Sequence, residues 1–454
     1  MKSTDIKIRE LTADTEHFAY RSPMKFGGRV VTDVTLLNVY AVVETRDGRI
    51  GRGRGSMTMG NAWGWPSKVV PSDKTLEAMV QLGKDIVQYA NDCTEVSHPL
   101  ELCTAIGLKY DELANVVTSR MNLAEPMPRL AQLVAASPFE AALFDAYGKA
   151  LNQNSYKLLG KEYVNSDLAQ YLNDDFKGEY LDQYVLPEIR PRMPLYHLVG
   201  ALDPLTDADV AARLNDGLPE TLGEWVKYNG LTHLKVKLNG DDLDWDVMRM
   251  AEIESVVALA KAEMAKSGAV AADWIYSADF NEKCQSADYV LEWLRKVDQK
   301  SPNALRRLQY IEQPTNRDLK KHPENKMFEP AKIKPVVIDE SLINFESLLL
   351  SRQMGYSGVA LKACKGQAEA LLMAAAAQKY KMFLSVQDLT CPGLSFLHSA
   401  TISAWIPGVA AIEGNGRQYC PSANLPWEEK YPSLFKIDDG SVGTAALNGP
   451  GLGF

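Results

Sequence analysis

The sequence predicts an α/β protein: a parallel (β/α) barrel preceded by an α+β capping domain. Three observations point there. β-Branched, partly alternating residues over 29–55 give way to helical spacing over 72–149. From Pro194 onward, a short apolar run followed by an amphipathic segment recurs eight times, which matches a parallel barrel in size. The middle runs end in charged residues, at intervals near the roughly 30 residues of one βα unit.

The run 29–44 reads as strand, and Asp47-Gly48 offers a hairpin turn. Leu76, Met79, Val80, Leu82 and Val87, then Phe139, Ala142, Leu143, Ala146 and Tyr147, fall at helical spacing. Strands followed by helices make residues 1–165 an α+β cap. The polar, tyrosine-rich stretch 166–192 reads as a connection or insertion without regular structure. Candidate barrel strands are 195–199, 233–237, 274–279, 308–312, 336–339, 358–362, 382–386 and 409–413. They give a barrel over 193–430 and leave 431–454 as a C-terminal segment packing back on the cap. A doubly wound sheet is the runner-up, but no phosphate-binding glycine fingerprint follows its first strand. Gly51-Arg-Gly-Arg-Gly55 lies in the opening sheet and reads as a turn.

At 454 residues the chain exceeds the roughly 250–300 at which one core stops growing, so a barrel plus a cap fits. Basic residues number 49 and acidic residues 58, a formal net charge of −9. Nucleic acid and anionic membranes normally require a Lys/Arg excess on one face, so neither is expected as a partner. A small molecule is. The first residues lack the apolar core of a signal peptide, and no run reaches the ~18 apolar residues of a membrane span. Six cysteines without CxxC or CxxH spacing read as reduced thiols, and the expected location is the cytoplasm.

The functional face of a parallel barrel lies at the C-terminal strand ends. Those ends carry Lys235 and Lys237, Asp279 and Asn281, Glu312, Asp339 and Glu340, and Lys362. Three successive strands thus end in Asp279, Glu312 and Asp339, whose convergence at the mouth calls for a cation among them. Oxygen ligands without cysteine or histidine favour Mg²⁺, with Mn²⁺ as the alternative. The competing reading is that each acid caps the helix that follows. Lys235 and Lys237, two apart, share the inward face. Their mutual repulsion is expected to lower a lysine pKa toward that of a general base. Lys362 ends a strand four places away, across the barrel from Lys237.

Lys235-Val-Lys237, Asp279-Phe-Asn281, Glu312-Gln-Pro314, Asp339-Glu-Ser341 and Lys362 together closely resemble the enolase superfamily. Within it, the pattern is similar to the muconate-lactonizing-enzyme-like branch of the mandelate racemase/muconate lactonizing enzyme family. The resemblance covers nearly the whole chain, with 137–150 and 156–160 looking like the end of the family's cap. It implies a barrel of the modified TIM type, Mg²⁺ on Asp279, Glu312 and Asp339, Lys237 as a base, Lys362 as its counterpart, and Lys235 tuning Lys237. By the same resemblance Asn281 meets the substrate carboxylate and Glu340 supports Lys362. The implied chemistry is removal of the proton α to a carboxylate through an enediolate, using a Lys or His base with Mg²⁺.

Departures narrow the choice. Gln387 stands where mandelate-racemase-like relatives carry histidine. Strand eight ends in Ile412-Glu-Gly-Asn-Gly-Arg417 rather than Asp-x-Asp, leaving Glu413 as a substitute for the amino-group ligand, and the usual Gly-Gly after the strand-six lysine is absent. The two specificity loops of the family correspond to 20–28 and 56–68. In the second, Trp63 and Trp65 either wall an apolar or ring-bearing substrate or pack the cap onto the barrel. Lys25 or Lys68 is a candidate for meeting a second anionic group, against an ordinary surface role. The leading expectation is a racemase, epimerase or cycloisomerase acting on a small carboxylate, in a chain that forms a homo-oligomer. An acid-sugar dehydratase of the same superfamily and a non-catalytic binding barrel are the alternatives.

Overall fold

The computed structural model describes residues 1–26, 29–269 and 271–454. Strands β1 (Ile6–Phe26), β2 (Arg29–Thr45) and β3 (Ile50–Thr58) form an antiparallel sheet in that order. Pairing extends from Ile6↔Thr45 to Phe26↔Arg29. The supposed loop 20–28 is therefore strand as far as Phe26, and Gly27 and Gly28 lie outside the described residues. The second supposed loop, 56–68, begins as the end of β3 and continues into the short helix Asn61–Gly64.

Gly51, Gly53 and Gly55 are not a turn. They occupy alternate positions of β3, one face of the strand, and that face lies against the helix Arg129–Leu151, which is buried along nearly its whole length. A Cβ on Gly53 would stand 2.2 Å from the Ala146 nitrogen, and one on Gly55 2.0 Å from the Pro138 carbonyl oxygen. The glycines are there so that helix and strand backbones touch. Three further helices, Ser72–Asn91, Pro99–Gly107 and Tyr110–Arg120, complete the cap.

The barrel strands are β4 (Arg192–Val199), β5 (His233–Lys237), β6 (Ile275–Asp279), β7 (Leu308–Glu312), β8 (Val336–Ile338), β9 (Gly358–Lys362), β10 (Phe383–Gln387) and β11 (Val409–Glu413). They pair in chain order, all parallel, and β11 closes onto β4 through Ile412↔Leu195 and Glu413↔Tyr196. All eight expected strands form, with ends moved by three residues at most. Tyr196, Tyr310, Val337, Ala360 and Ala411 make a closed cluster of their own, with the two tyrosine rings edge to face at 5.9 Å.

The stretch 166–192 is more ordered than its composition suggests. It folds into three short 3₁₀ turns that bury Phe176 among Tyr184, Phe345 and Tyr380. Its end is fastened to the barrel by Leu186 N–H donating to the Trp405 carbonyl at 2.8 Å and Arg190 donating to that of Val409 at 2.8 Å. Beyond residue 431, β12 (Ser441–Gly443) pairs antiparallel with β4, and Leu452 N–H donates to Asp145 on the long cap helix at 3.0 Å. Among the described residues no helix is long and apolar enough to cross a membrane.

His98 caps the helix Pro99–Gly107. Its Nδ1 accepts from the Leu100 N–H at 3.1 Å, so the proton sits on Nε2, 3.0 Å from the Leu158 carbonyl oxygen. Burial holds the ring down to about pKa 4. A base with a depressed folded pKa contributes its full stability above its unfolded value of about 6.5, and loses it as pH falls toward 4. Urea unfolding is expected to show stability declining over that interval. His98→Asn, which keeps an N-cap acceptor without the titration, should flatten the slope by about one proton; an identical slope would mean His98 does not titrate on unfolding.

Candidate active site

Parallel register builds the mouth. Lys237 pairs with Asp279 and Asp279 with Glu312, so the three side chains stand on neighbouring strands about 4.8 Å apart. Glu312 pairs with Val337, which puts Asp339 one residue past the end of β8. Lys362 closes β9, four strands from Lys237 in a ring of eight.

All these groups are buried and bonded to one another. The Lys235 ammonium lies 2.8 Å from Glu312 Oε1, 3.0 Å from Glu413 Oε2 and 3.2 Å from Asp279 Oδ2. Lys237 Nζ lies 2.5 Å from Asp279 Oδ2. On the opposite wall Lys362 Nζ is 2.8 Å from Asp339 Oδ2, and Lys365 Nζ donates to the Asp339 carbonyl oxygen at 2.5 Å and lies 3.2 Å from Oδ1.

At Lys235 the expected depression by a neighbouring ammonium is not what results. Burial lowers Lys235, but Glu312, Glu413 and Asp279 outweigh it and hold the ammonium well above its ordinary value. Burial likewise opposes the charge on Lys362, and Asp339 reverses the effect, leaving it raised. The acids divide. Burial pushes Asp279 up, yet Lys237 and Lys235 bring it below the carboxylate range. Glu312 is held well above that range by burial and then by Asp279. Burial, then Asp339, pushes Glu340 up to about 8.

The donor set suits a divalent cation. Asp279, Glu312, Asp339, Glu340, Asp388 and Glu413 are six buried carboxyl groups, and Lys235, Lys237, Lys362 and Lys365 are four buried ammonium groups. Fully ionised, they carry an excess of two negative charges, and Glu340 Oε2 is a buried oxygen without a hydrogen-bond partner. As arranged, however, Asp279, Glu312, Asp339 and Glu413 turn toward the lysines. Among the described residues no three acidic, histidine or cysteine side chains converge as an ion requires. Holding Mg²⁺ on Asp279, Glu312 and Asp339 requires Lys235 and Lys237 to give up Asp279.

The remaining expected site residues fall in different places. Gln387 lies inside the barrel, accepting from Lys235 at 3.1 Å and donating to Tyr310 at 3.1 Å and to Glu312. Glu413 accepts from Lys235 and Asn415. Both thus hold Lys235 from within rather than face the cap. Glu340 does not reach Lys362. It accepts from Trp63 Nε1 at 2.9 Å, while Asp339 meets the lysine. Asn281, at φ 47°, donates its backbone N–H to Asp279 Oδ1 at 2.8 Å and is half-buried. Trp63 covers Lys362, with Nζ 4.3 Å from the ring centroid. Trp65 instead donates to Glu125 at 2.6 Å within the cap.

Several residues escaped the sequence reading. Phe26 lies over Lys237, with Nζ 5.1 Å from its ring centroid, so each opposed lysine sits beneath one aromatic ring. Lys365 joins Lys362 on Asp339; its only signal was the charged residue where the family's Gly-Gly is missing. Gln313, at φ 29°, staples β7 to β8 by accepting from Asp339 N–H at 3.0 Å and Ser341 N–H at 3.2 Å. Arg317 grips Glu282 with two hydrogen bonds of 2.7 and 2.6 Å and donates to the Trp63 carbonyl at 3.1 Å, tying the cap to the barrel. Above the two rings opens a cavity of about 560 Å³ lined by Tyr20, Met24, Phe26, Trp63, Leu389 and Thr390 among others.

A closed eight-stranded parallel barrel, roofed by an α+β cap and carrying acids and lysines around its mouth, defines the class: a capped α/β barrel. The enolase C-terminal domain-like family matches residues 218–454, and the chain belongs to that family of the enolase superfamily. It is an enzyme of that superfamily. Solved structures share the fold. One is muconate lactonizing enzyme from Pseudomonas fluorescens complexed with muconolactone, 17% identical, TM-score 0.60, covering 98% of this chain and 95% of that one. Another is a dipeptide epimerase from Enterococcus faecalis complexed with Mg and the dipeptide L-Leu-L-Tyr, 14% identical, TM-score 0.61, covering 98% and 99%. A third is an enolase from Bradyrhizobium complexed with magnesium and mandelic acid, 15% identical, TM-score 0.59, covering 99% and 96%. No curated protein matches the sequence.

The Arg317 clamp is testable. Arg317→Gln is expected to lower the free energy of urea unfolding by about 1–3 kcal/mol, since it breaks charge-assisted bonds to a mostly buried carboxylate. An unchanged unfolding midpoint would mean that the cap is held by other contacts.

Proposed function

We propose that this enzyme removes the proton α to a substrate carboxylate and returns a proton to the carbon skeleton, racemising, epimerising or cycloisomerising a small carboxylate. The observation that carries this reading is the pair of buried lysines, Lys237 and Lys362, on opposite walls with three carboxylates between them. Superfamily members with a lysine base use Mg²⁺, and the solved complexes of the dipeptide epimerase and the Bradyrhizobium enolase contain it.

Removing that proton leaves a second negative charge on the carboxylate, which needs fixed positive charge to form at an acceptable rate. Mg²⁺ held by Asp279, Glu312 and Asp339 supplies Lewis-acid charge when bound. The chain's own groups do the rest. Lys237 Nζ, once freed from Asp279, takes the proton on one face, and Lys362 Nζ gives or takes one on the other. Lys235, locked by Glu312, Glu413 and Gln387, stays protonated and contributes a permanent charge beneath the reacting carbon. Phe26 and Trp63 roof the two amines and exclude water from them. The dehydratase of the same superfamily is the alternative, and the reaction product distinguishes the two.

The test is α-proton exchange in D₂O followed by NMR, with Mg²⁺ and a panel of amino-acid derivatives, betaines and acid sugars. Exchange at an otherwise unchanged α-carbon, reduced roughly 10²–10⁴-fold in Lys237→Ala and in Lys362→Ala, is expected. A keto product with loss of water would select the dehydratase. Undiminished exchange in both variants would remove the lysines from the chemistry.

A further inference from the structure

The wall that bears Lys362 carries a second lysine that the proposed chemistry does not use. Lys362 closes β9, and Lys365 ends the 3₁₀ turn Ala363–Lys365 that follows it. Three residues per turn bring Lys365 back to the side of Lys362, and both buried amines meet Asp339. Resting on the reading above, we propose that Lys365 is a positioning residue. It keeps Oδ1 and the backbone carbonyl of Asp339 for itself, so that an incoming Mg²⁺ takes Oδ2 and releases Lys362, at a cost in affinity for the ion.

The two amines are not held alike. Lys365 Nζ makes two bonds to one residue, 2.5 Å to the Asp339 carbonyl oxygen and 3.2 Å to Oδ1. Among the described residues it pairs with no other acid, so leaving Asp339 would strand a buried ammonium. Its turn is also fixed from the cap. Glu140 accepts from the Ala368 N–H at 2.9 Å, and Gly366, at φ 105°, lies so near that a Cβ there would stand 2.6 Å from Glu140 Oε2. Lys362 meets Asp339 only through Oδ2, at 2.8 Å, and has a second acceptor in the Asp388 carbonyl oxygen at 3.4 Å. Asp339 itself keeps its place without Lys365: its N–H donates to Gln313 at 3.0 Å, and its carbonyl oxygen accepts from the Leu342 N–H at 3.0 Å. Lys365 therefore adds charge to this ligand more than support. A fixed ammonium on a carboxylate that must hold a divalent ion repels that ion.

Calorimetric titration of Mg²⁺ into the whole protein and into Lys365→Met tests this, since methionine keeps an unbranched apolar stem without the charge. Lys365→Met is expected to bind Mg²⁺ roughly ten- to hundredfold tighter, and Lys365→Arg, which restores a positive charge, to return toward the affinity of the unsubstituted protein. Circular dichroism establishes that each variant is folded. A crystal of the unsubstituted protein with Mg²⁺ gives a readout that needs no variant: Oδ2 of Asp339 on the ion, Lys365 still bonded to Oδ1, and Lys362 moved away. Equal or weaker Mg²⁺ binding in Lys365→Met, or Lys365 displaced in the crystal while Lys362 stays on Asp339, would overturn the role of Lys365 and leave the proton-abstraction reading standing. Failure of Mg²⁺ to bind at the barrel mouth in any of these proteins would overturn both.

Discussion

The mouth of this barrel is organised by an imbalance of buried charge. Six carboxyl groups and four ammonium groups are removed from water within one cluster, and burying an unpaired charge costs far more than burying a paired one. Every short contact at the site follows from that constraint. Lys235 is drawn to three acids at once, Asp339 holds two lysines, and Gln387 fills the remaining acceptor and donor positions around Glu312. Burial, and then a neighbouring carboxylate, pushes Glu312 and Glu340 toward protonation, whereas at Asp279 the ammonium groups of Lys237 and Lys235 outweigh burial.

The cap acts on that cluster through a few side chains. Phe26 reaches Lys237 from the first hairpin, and Trp63 reaches Lys362 from the loop after β3 while bonding Glu340. Arg317 and Glu282, rooted in the barrel loops, hold the Trp63 backbone in place. The backbone of Asn281, Glu282 and Gln313 takes positive φ at this junction, a conformation that non-glycine residues adopt only where surrounding bonds enforce it. Cap and barrel thus meet where the chemistry is proposed to occur, and a substrate lies against both.

The barrel was legible because its strands are short apolar runs whose charged ends recur at the βα interval, and every such run became a strand. The acids and Lys237 and Lys362 stood out because strand position alone puts them at one end. What lay deeper was not legible. Lys235 was expected to perturb its neighbour by repulsion, but that inference left out Glu413 and Gln387, which reach the same ammonium from the far side of the barrel. Trp63 and Trp65 look equivalent in sequence, yet only one faces the barrel. The hairpin end was expected to be a loop only because the family's first specificity loop corresponds to 20–28. β1 is an edge strand, where proline costs no ladder hydrogen bond, and the pairing register shifts between Ala19 and Met24 instead of ending. The three glycines of β3 carry no hint in sequence of the helix that needs them.

The central claim is that a divalent ion completes the charge of the cluster and in doing so frees Lys237. A crystal structure of the protein with Mg²⁺ tests it most directly. The account predicts one ion about 2.0–2.1 Å from oxygens of Asp279, Glu312 and Asp339, with Lys237 Nζ drawn away from Asp279 and the amines of Lys237 and Lys362 on opposite sides of the ion. An ion bound elsewhere at saturating Mg²⁺, with Asp279 still paired to Lys235 and Lys237, would contradict it.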